Sequence, residues 1–120
     1  MKSIIFIAAL LSTTLANAST MLLWSCTLLE GHTIEEVKTI NSAWVEAVNE
    51  LSDSKVESYV LEPIASSDMA AFRYIDVFEN PVHWGQIRSK MEGGALDAFE
   101  TQFNEASKCE EASLYEGSES

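Results

Sequence analysis

Two side chains in this sequence have the chemistry of a proton-transfer site. Asp76 lies in the stretch Ala71 to Phe78, AFRYIDVF, where alternation puts it on one face with Phe72, Tyr74 and Phe78. A carboxylate among aromatic rings loses hydration, its pKa rises, and it becomes a candidate general base. Pairing with Lys or Arg, or a place in solvent near the strand end, is the plainer alternative. His83 adjoins Trp84 at a helix start just beyond that strand, a candidate base or ligand contact. A surface histidine is the plainer alternative there. Trp44, Tyr59, Tyr74 and Trp84 are candidate walls of a small ligand pocket, because such pockets are mostly apolar with a few polar groups. The same rings at this spacing also serve as core.

Other reactive groups do not assemble into a motif. His32 sits in a turn near Glu30, Glu35 and Glu36 but lacks a second ligand at metal-binding spacing, so it reads as an exposed turn residue. No G-x-S-x-G, H-E-x-x-H, P-loop or dinucleotide fingerprint is present. Gly93-Gly94 reads as helix punctuation, and Glu110-Glu111 lack an EF-hand loop. The sequence therefore implies no metal and no cofactor. Cys26 and Cys109 are the two cysteines, without the C-x-x-C spacing of a redox pair.

These residues need elements to position them. Met21 to Leu29, MLLWSCTLL, reads as a first strand. Glu30-Gly31-His32 is a turn, and Thr33-Ile34-Glu35-Glu36 a capping box in which Glu36 reaches back to the Thr33 amide. Ile34, Val37, Ile40, Trp44, Val48 and Leu51 draw an apolar helical stripe, with Glu35, Lys38, Asn41 and Ser42 largely off it. Val56 to Ile64 is a second strand limited by Pro63, and Ala71 to Phe78 a third, antiparallel to it. Asn80 and Pro81 are an N-cap and an N1 proline. They open a helix to about Met91 that breaks at Gly93-Gly94 and resumes with Leu96, Phe99, Phe103 and Ala106 on one stripe. Cys109 follows that helix, and Ala112 to Glu116 is a short last strand.

Length and charge bound the rest. Met1 to Ala18 has the form of a secretory signal: Lys2, an apolar run from Ile4 to Leu11, and Ala16-Asn17-Ala18 at the cut. Removing those 18 of 120 residues leaves 102, and the loss of Lys2 takes the net charge from −12 to −13. Residues 19–117 then form one α+β domain and 118–120 a loose polar tail. Periplasmic or secreted localisation follows from the signal. The acidity and scattered basic residues disfavour nucleic acid and anionic membrane surfaces, and nothing after the signal is apolar enough for a membrane anchor. In an oxidising compartment Cys26 and Cys109 are expected to form a disulfide.

The element order is strand-helix-strand twice over, the ferredoxin-like β-α-β-β-α-β plan. Its antiparallel four-stranded sheet has order 4-1-3-2, with helices on one face and the second helix broken at Gly93-Gly94. That order places Cys26 beside Cys109. Apolar groups fall on both sheet faces, so the open face is expected to be covered by a second copy of the chain.

This layout, with its capped first helix and an aromatic third strand running into Asn80-Pro81, resembles the dimeric α+β barrel superfamily. That superfamily includes antibiotic-biosynthesis-monooxygenase-like and NIPSNAP-like domains. The resemblance spans about Met21 to Gly117. It implies a homodimer and either of two functions. One is a non-catalytic interaction module or a module for a small apolar or aromatic ligand; the other is a cofactor-independent monooxygenase-like enzyme with its pocket between sheet and helices. Its haem-degrading members use Asn, Trp and His, which Asn41, Trp44, His83 and Trp84 do not match position by position, so no catalytic role is carried over. A structural envelope protein is a third reading.

Overall fold

A computed structural model describes residues 19–120; the expected signal segment, 1–18, lies outside them. The elements are β1 (Ser19–Leu28), α1 (Ile34–Leu51), β2 (Glu57–Leu61), β3 (Ala71–Phe78), α2 (Pro81–Glu92), α3 (Asp97–Ala106) and β4 (Ser107–Gly117). The strands form one antiparallel sheet in the order β2-β3-β1-β4. That is the expected 4-1-3-2 arrangement read from the other edge.

The local chemistry explains the boundaries. Thr33 Oγ1 accepts the Glu36 amide at 3.3 Å and caps α1. Only half of the expected capping box forms, because the Glu36 carboxylate is taken by His32 Nδ1 at 2.8 Å. Asn80 caps α2 by accepting the His83 amide, with Pro81 in the first turn. The helix stops at Gly93, and Gly94 turns the chain at φ +93°, a region that a side chain would strain. β2 is shorter than the predicted Val56–Ile64. Val56 is fully buried at its start, with both its amide and its carbonyl bonded to the Asn49 side chain, and the chain leaves the sheet before Pro63.

β4 is longer than expected. It starts directly at Ser107 and pairs with β1 along its whole length, so Cys109 lies within the strand. Cys26 and Cys109 are register partners, Cα to Cα 4.0 Å, and are joined by a disulfide closing an 83-residue separation. In the chain-entropy description a loop of that size is worth roughly 4–5 kcal/mol. That is a large share of the ~5–15 kcal/mol by which small domains are stable.

Just beyond the disulfide the register shifts between Ser25 and Cys26. Ser25 faces Glu111 and Cys26 faces Cys109, so Glu110 is the extra residue of a β-bulge. Strict alternation from Cys109 would have set Glu111 opposite Trp24. The bulge sets Ala112 there and turns Glu111 to the other face.

The helices cover the face bearing Leu22, Trp24, Cys26, Phe72, Tyr74, Asp76 and Phe78. Two clusters fill the layer between: Trp44, Val48, Val56, Phe78, Ile87 and Leu96, and Cys26, Val37, Phe72, Tyr74 and Ala106. Phe103 of α3 packs against both. The opposite face carries Met21, Leu23, Ile75 and Val77 with exposed Tyr59, Leu61 and Tyr115, and no element of the described chain lies over it. Among the described residues no helix is long and apolar enough to cross a membrane.

Candidate functional site

The β3 alternation and the β1 register together place one carboxylate in an apolar layer. Leu22 stands opposite Asp76, and Trp24 opposite Tyr74. Asp76 is 8% exposed. From the opposite side α1 presents Asn41 and Trp44, both buried. The positions 37, 41, 44 and 48 are the true buried stripe, so Asn41 belongs on it rather than off it.

Asn41 is inside because it has work there. Its amide Nδ2 donates to Ser58 Oγ at 3.0 Å, and the Ser58 hydroxyl donates to Asp76 Oδ1 at 2.6 Å. Ser58 has one proton; the shorter bond to the carboxylate takes it, which leaves Asn41 as donor. A relay therefore runs from α1 through β2 to β3. Burial pushes the Asp76 carboxyl up from 3.8 to about 6, against the Ser58 hydroxyl and, less strongly, the Trp24 indole, which favour the charged form.

Two adjoining cavities meet at this carboxylate. The inner one, about 200 Å³, is walled by Trp24, Trp44, Tyr74 and Phe103, with Asn41, Asp76, Glu100 and Asn104 as polar groups. The outer one, about 490 Å³, shares Trp24, Trp44, Asp76, Met91 and Glu100 with it and extends to Trp84 and Arg88. Tyr74 stacks edge-on between Phe72 and Phe103. Its hydroxyl is buried without a hydrogen-bond partner. Burial, first, and the Asp76 charge push that phenol well above its ordinary pKa. The Ser107 hydroxyl, which tempers the shift, donates to the Phe103 carbonyl at 2.9 Å. An orphaned buried hydroxyl costs about 1–3 kcal/mol until something partners it.

The predicted site residues separate. Asp76, Trp44 and Tyr74 come together at the inner cavity, and Trp84 joins the outer one, where Arg88 lies 5.3 Å over its ring. Tyr59 goes to the opposite sheet face, half exposed, with its hydroxyl on Glu57 at 2.6 Å. A strand residue one position out of phase with its neighbour across the ladder ends on the wrong side.

His83 is neither at a cavity nor on the surface. It is 5% exposed against Phe78, and its Nδ1 accepts the Glu79 amide at 3.1 Å. Its Nε2 sits 2.6 Å from Ser52 Oγ. That pattern assigns the ring proton to Nε2 and makes His83 the tie between the start of α2 and the end of α1. Sequence reasoning missed Trp24, Asn41, Ser58, Glu100 and Phe103 as site residues. The signal for Asn41 was present, a polar side chain at an apolar-stripe position. Among the described residues no group of three or more His, Cys, Asp or Glu is placed to hold a metal ion.

No family model matches the chain, and no curated protein sequence matches it. Solved structures do. SnoaB, a cofactor-independent oxygenase from Streptomyces nogalater, superimposes with a TM-score of 0.61 at 15% identity, over 88% of this chain and 97% of that one. A dimeric ferredoxin-like protein of unknown function from Thermobifida fusca gives 0.53 at 6% identity, over 85% and 92%. A protein of Arabidopsis thaliana gives 0.51 at 11%, over 85% and 95%. The chain shares its fold with these proteins, one of which is described as ferredoxin-like, and at these identities the likeness is one of fold alone.

The Asp76 shift has a consequence for stability. The folded state holds this proton more tightly than the unfolded chain, so the contribution is fully present below about pH 4. It is lost as pH rises through about 6, where the buried group ionises. Asp76→Asn keeps an acceptor for Ser58 and removes the charge. Urea unfolding should find the variant more stable than the natural protein by about 1–3 kcal/mol at pH 7.5 and nearly equal to it at pH 4. A variant advantage that does not change with pH would contradict the burial of a charge.

Proposed function

We propose that the protein is an exported homodimer that binds a small aromatic molecule between sheet and helices without transforming it. The observation that carries this reading is the inner cavity. Aromatic rings wall it, and the Asp76 carboxylate on its lining is oriented by Ser58 and Asn41. Ligand sites combine apolar walls with a few placed polar groups in this way. Export is supported by the disulfide, which suits an oxidising compartment. Homodimerisation is supported by the apolar open face, and by the same fold in a protein described as dimeric.

Native mass spectrometry of the purified protein tests the three parts together. The expected species is a dimer of chains beginning at Ser19, each two hydrogens lighter than its reduced form, that takes up an aromatic compound saturably. Monomer alone at micromolar concentration would refute the sheet-to-sheet pairing, and no uptake across an aromatic panel would refute the binding.

One observation favours a second reading, a cofactor-independent oxygenase-like enzyme. A carboxyl held at about 6 beside an aromatic cavity suits a general base for a phenolic proton, and SnoaB has this fold. An oxygen electrode with a quinol substrate decides it: the natural protein should accelerate oxygen uptake and Asp76→Asn should not. Equal rates for both would remove Asp76 from any such chemistry.

A further inference from the structure

The outer cavity is built from all three tryptophans of the chain, Trp24, Trp44 and Trp84. The polar groups among them are one-sided. Asp76, Asp97 and Glu100 line it with Glu92, and these side chains, once ionised, accept hydrogen bonds and donate none. Its one cation, Arg88, is already bonded to Glu92 at 3.0 Å and laid over the Trp84 ring. In the adjoining cavity Asn41 is already spent on Ser58, so it adds no free donor towards the carboxylates. Tryptophan faces attract cations, and the surplus of acceptors calls for a ligand that brings donors.

Building on the small-ligand reading above, we propose that this paired cavity takes an aromatic organic cation, a primary ammonium carried on a flat ring system. The ring stacks among the tryptophans, and the ammonium group, three donors and no acceptor, reaches the Asp76 and Glu100 carboxylates. The net charge of −12 draws such a ligand towards the protein and repels aromatic acids. The arrangement already contains a miniature of this recognition, in the Arg88 guanidinium that lies over Trp84.

Isothermal titration with three probes of one shape tests the proposal: 2-naphthylmethylammonium, 2-naphthalenemethanol and 2-naphthoate. The ammonium should bind about tenfold tighter than the alcohol. The naphthoate should bind more weakly than either, and the ammonium advantage should shrink as salt is raised. The double variant Asp97→Asn/Glu100→Gln should narrow the ammonium-to-alcohol ratio. An alcohol that binds as tightly as the ammonium, or more tightly, overturns the cation preference while leaving the pocket in place. Failure of all three probes to bind overturns the pocket reading as well. An ammonium advantage unchanged in the double variant overturns the proposal by placing the cation elsewhere on the acidic surface.

Discussion

The Asp76 carboxylate lies beneath the helices on a mostly apolar sheet face, and its surroundings answer to the cost of keeping it there. An isolated charge in such a layer is expensive unless it is paired or hydrogen-bonded. No basic side chain comes to it. The compensation is a neutral chain of donors, Asn41 to Ser58 to Asp76, drawn from α1, β2 and β3. Because it compensates only in part, the carboxyl stays up at about 6. That residual cost distinguishes this position from a structural ion pair and makes Asp76 a candidate functional group.

The second constraint is the seam between β1 and β4. The disulfide fixes Cys26 against Cys109, and the bulge at Glu110 follows at once. Without the extra residue the sheet would present Glu111 beside Trp24, a second carboxylate on the helix-covered face that also carries Asp76. With it, Ala112 takes that place and lines the outer cavity. The disulfide lies where the register changes, and the bulge keeps Glu111 off the helix-covered face. Helix α3, which supplies Phe103 and Glu100, ends where β4 begins, so the seam also anchors one wall of the cavity.

Much of this was readable in the chain because its signals are local or periodic. Thr33, Asn80, Pro81 and Gly94 act through caps and backbone angles that any structure must respect. The alternation of AFRYIDVF put Asp76 and Tyr74 on one face before any coordinates. The element order brought Cys26, on the first strand, close to Cys109, expected just before the last. What escaped depends on long-range pairing. Tyr59 is a pocket candidate by type alone, and only the β2–β3 register sends it outward. His83 is at a helix start, where exposure is the norm, and it is buried because the end of α1 closes over it through Ser52. Asn41 interrupts an apolar stripe, a signal easily set aside in favour of its neighbour Ile40. Ser58 and the bulge leave no local mark at all.

Asp76 ionises near neutrality because it is buried beside a mostly aromatic cavity. Carbon-13 NMR titration of the Asp76 carboxyl in the intact protein measures this directly. A midpoint near 6 is the expected result. A midpoint at or below 4, as for a solvated aspartate, would mean that the carboxylate meets water or a cation in solution, and the account of the site would fail with it.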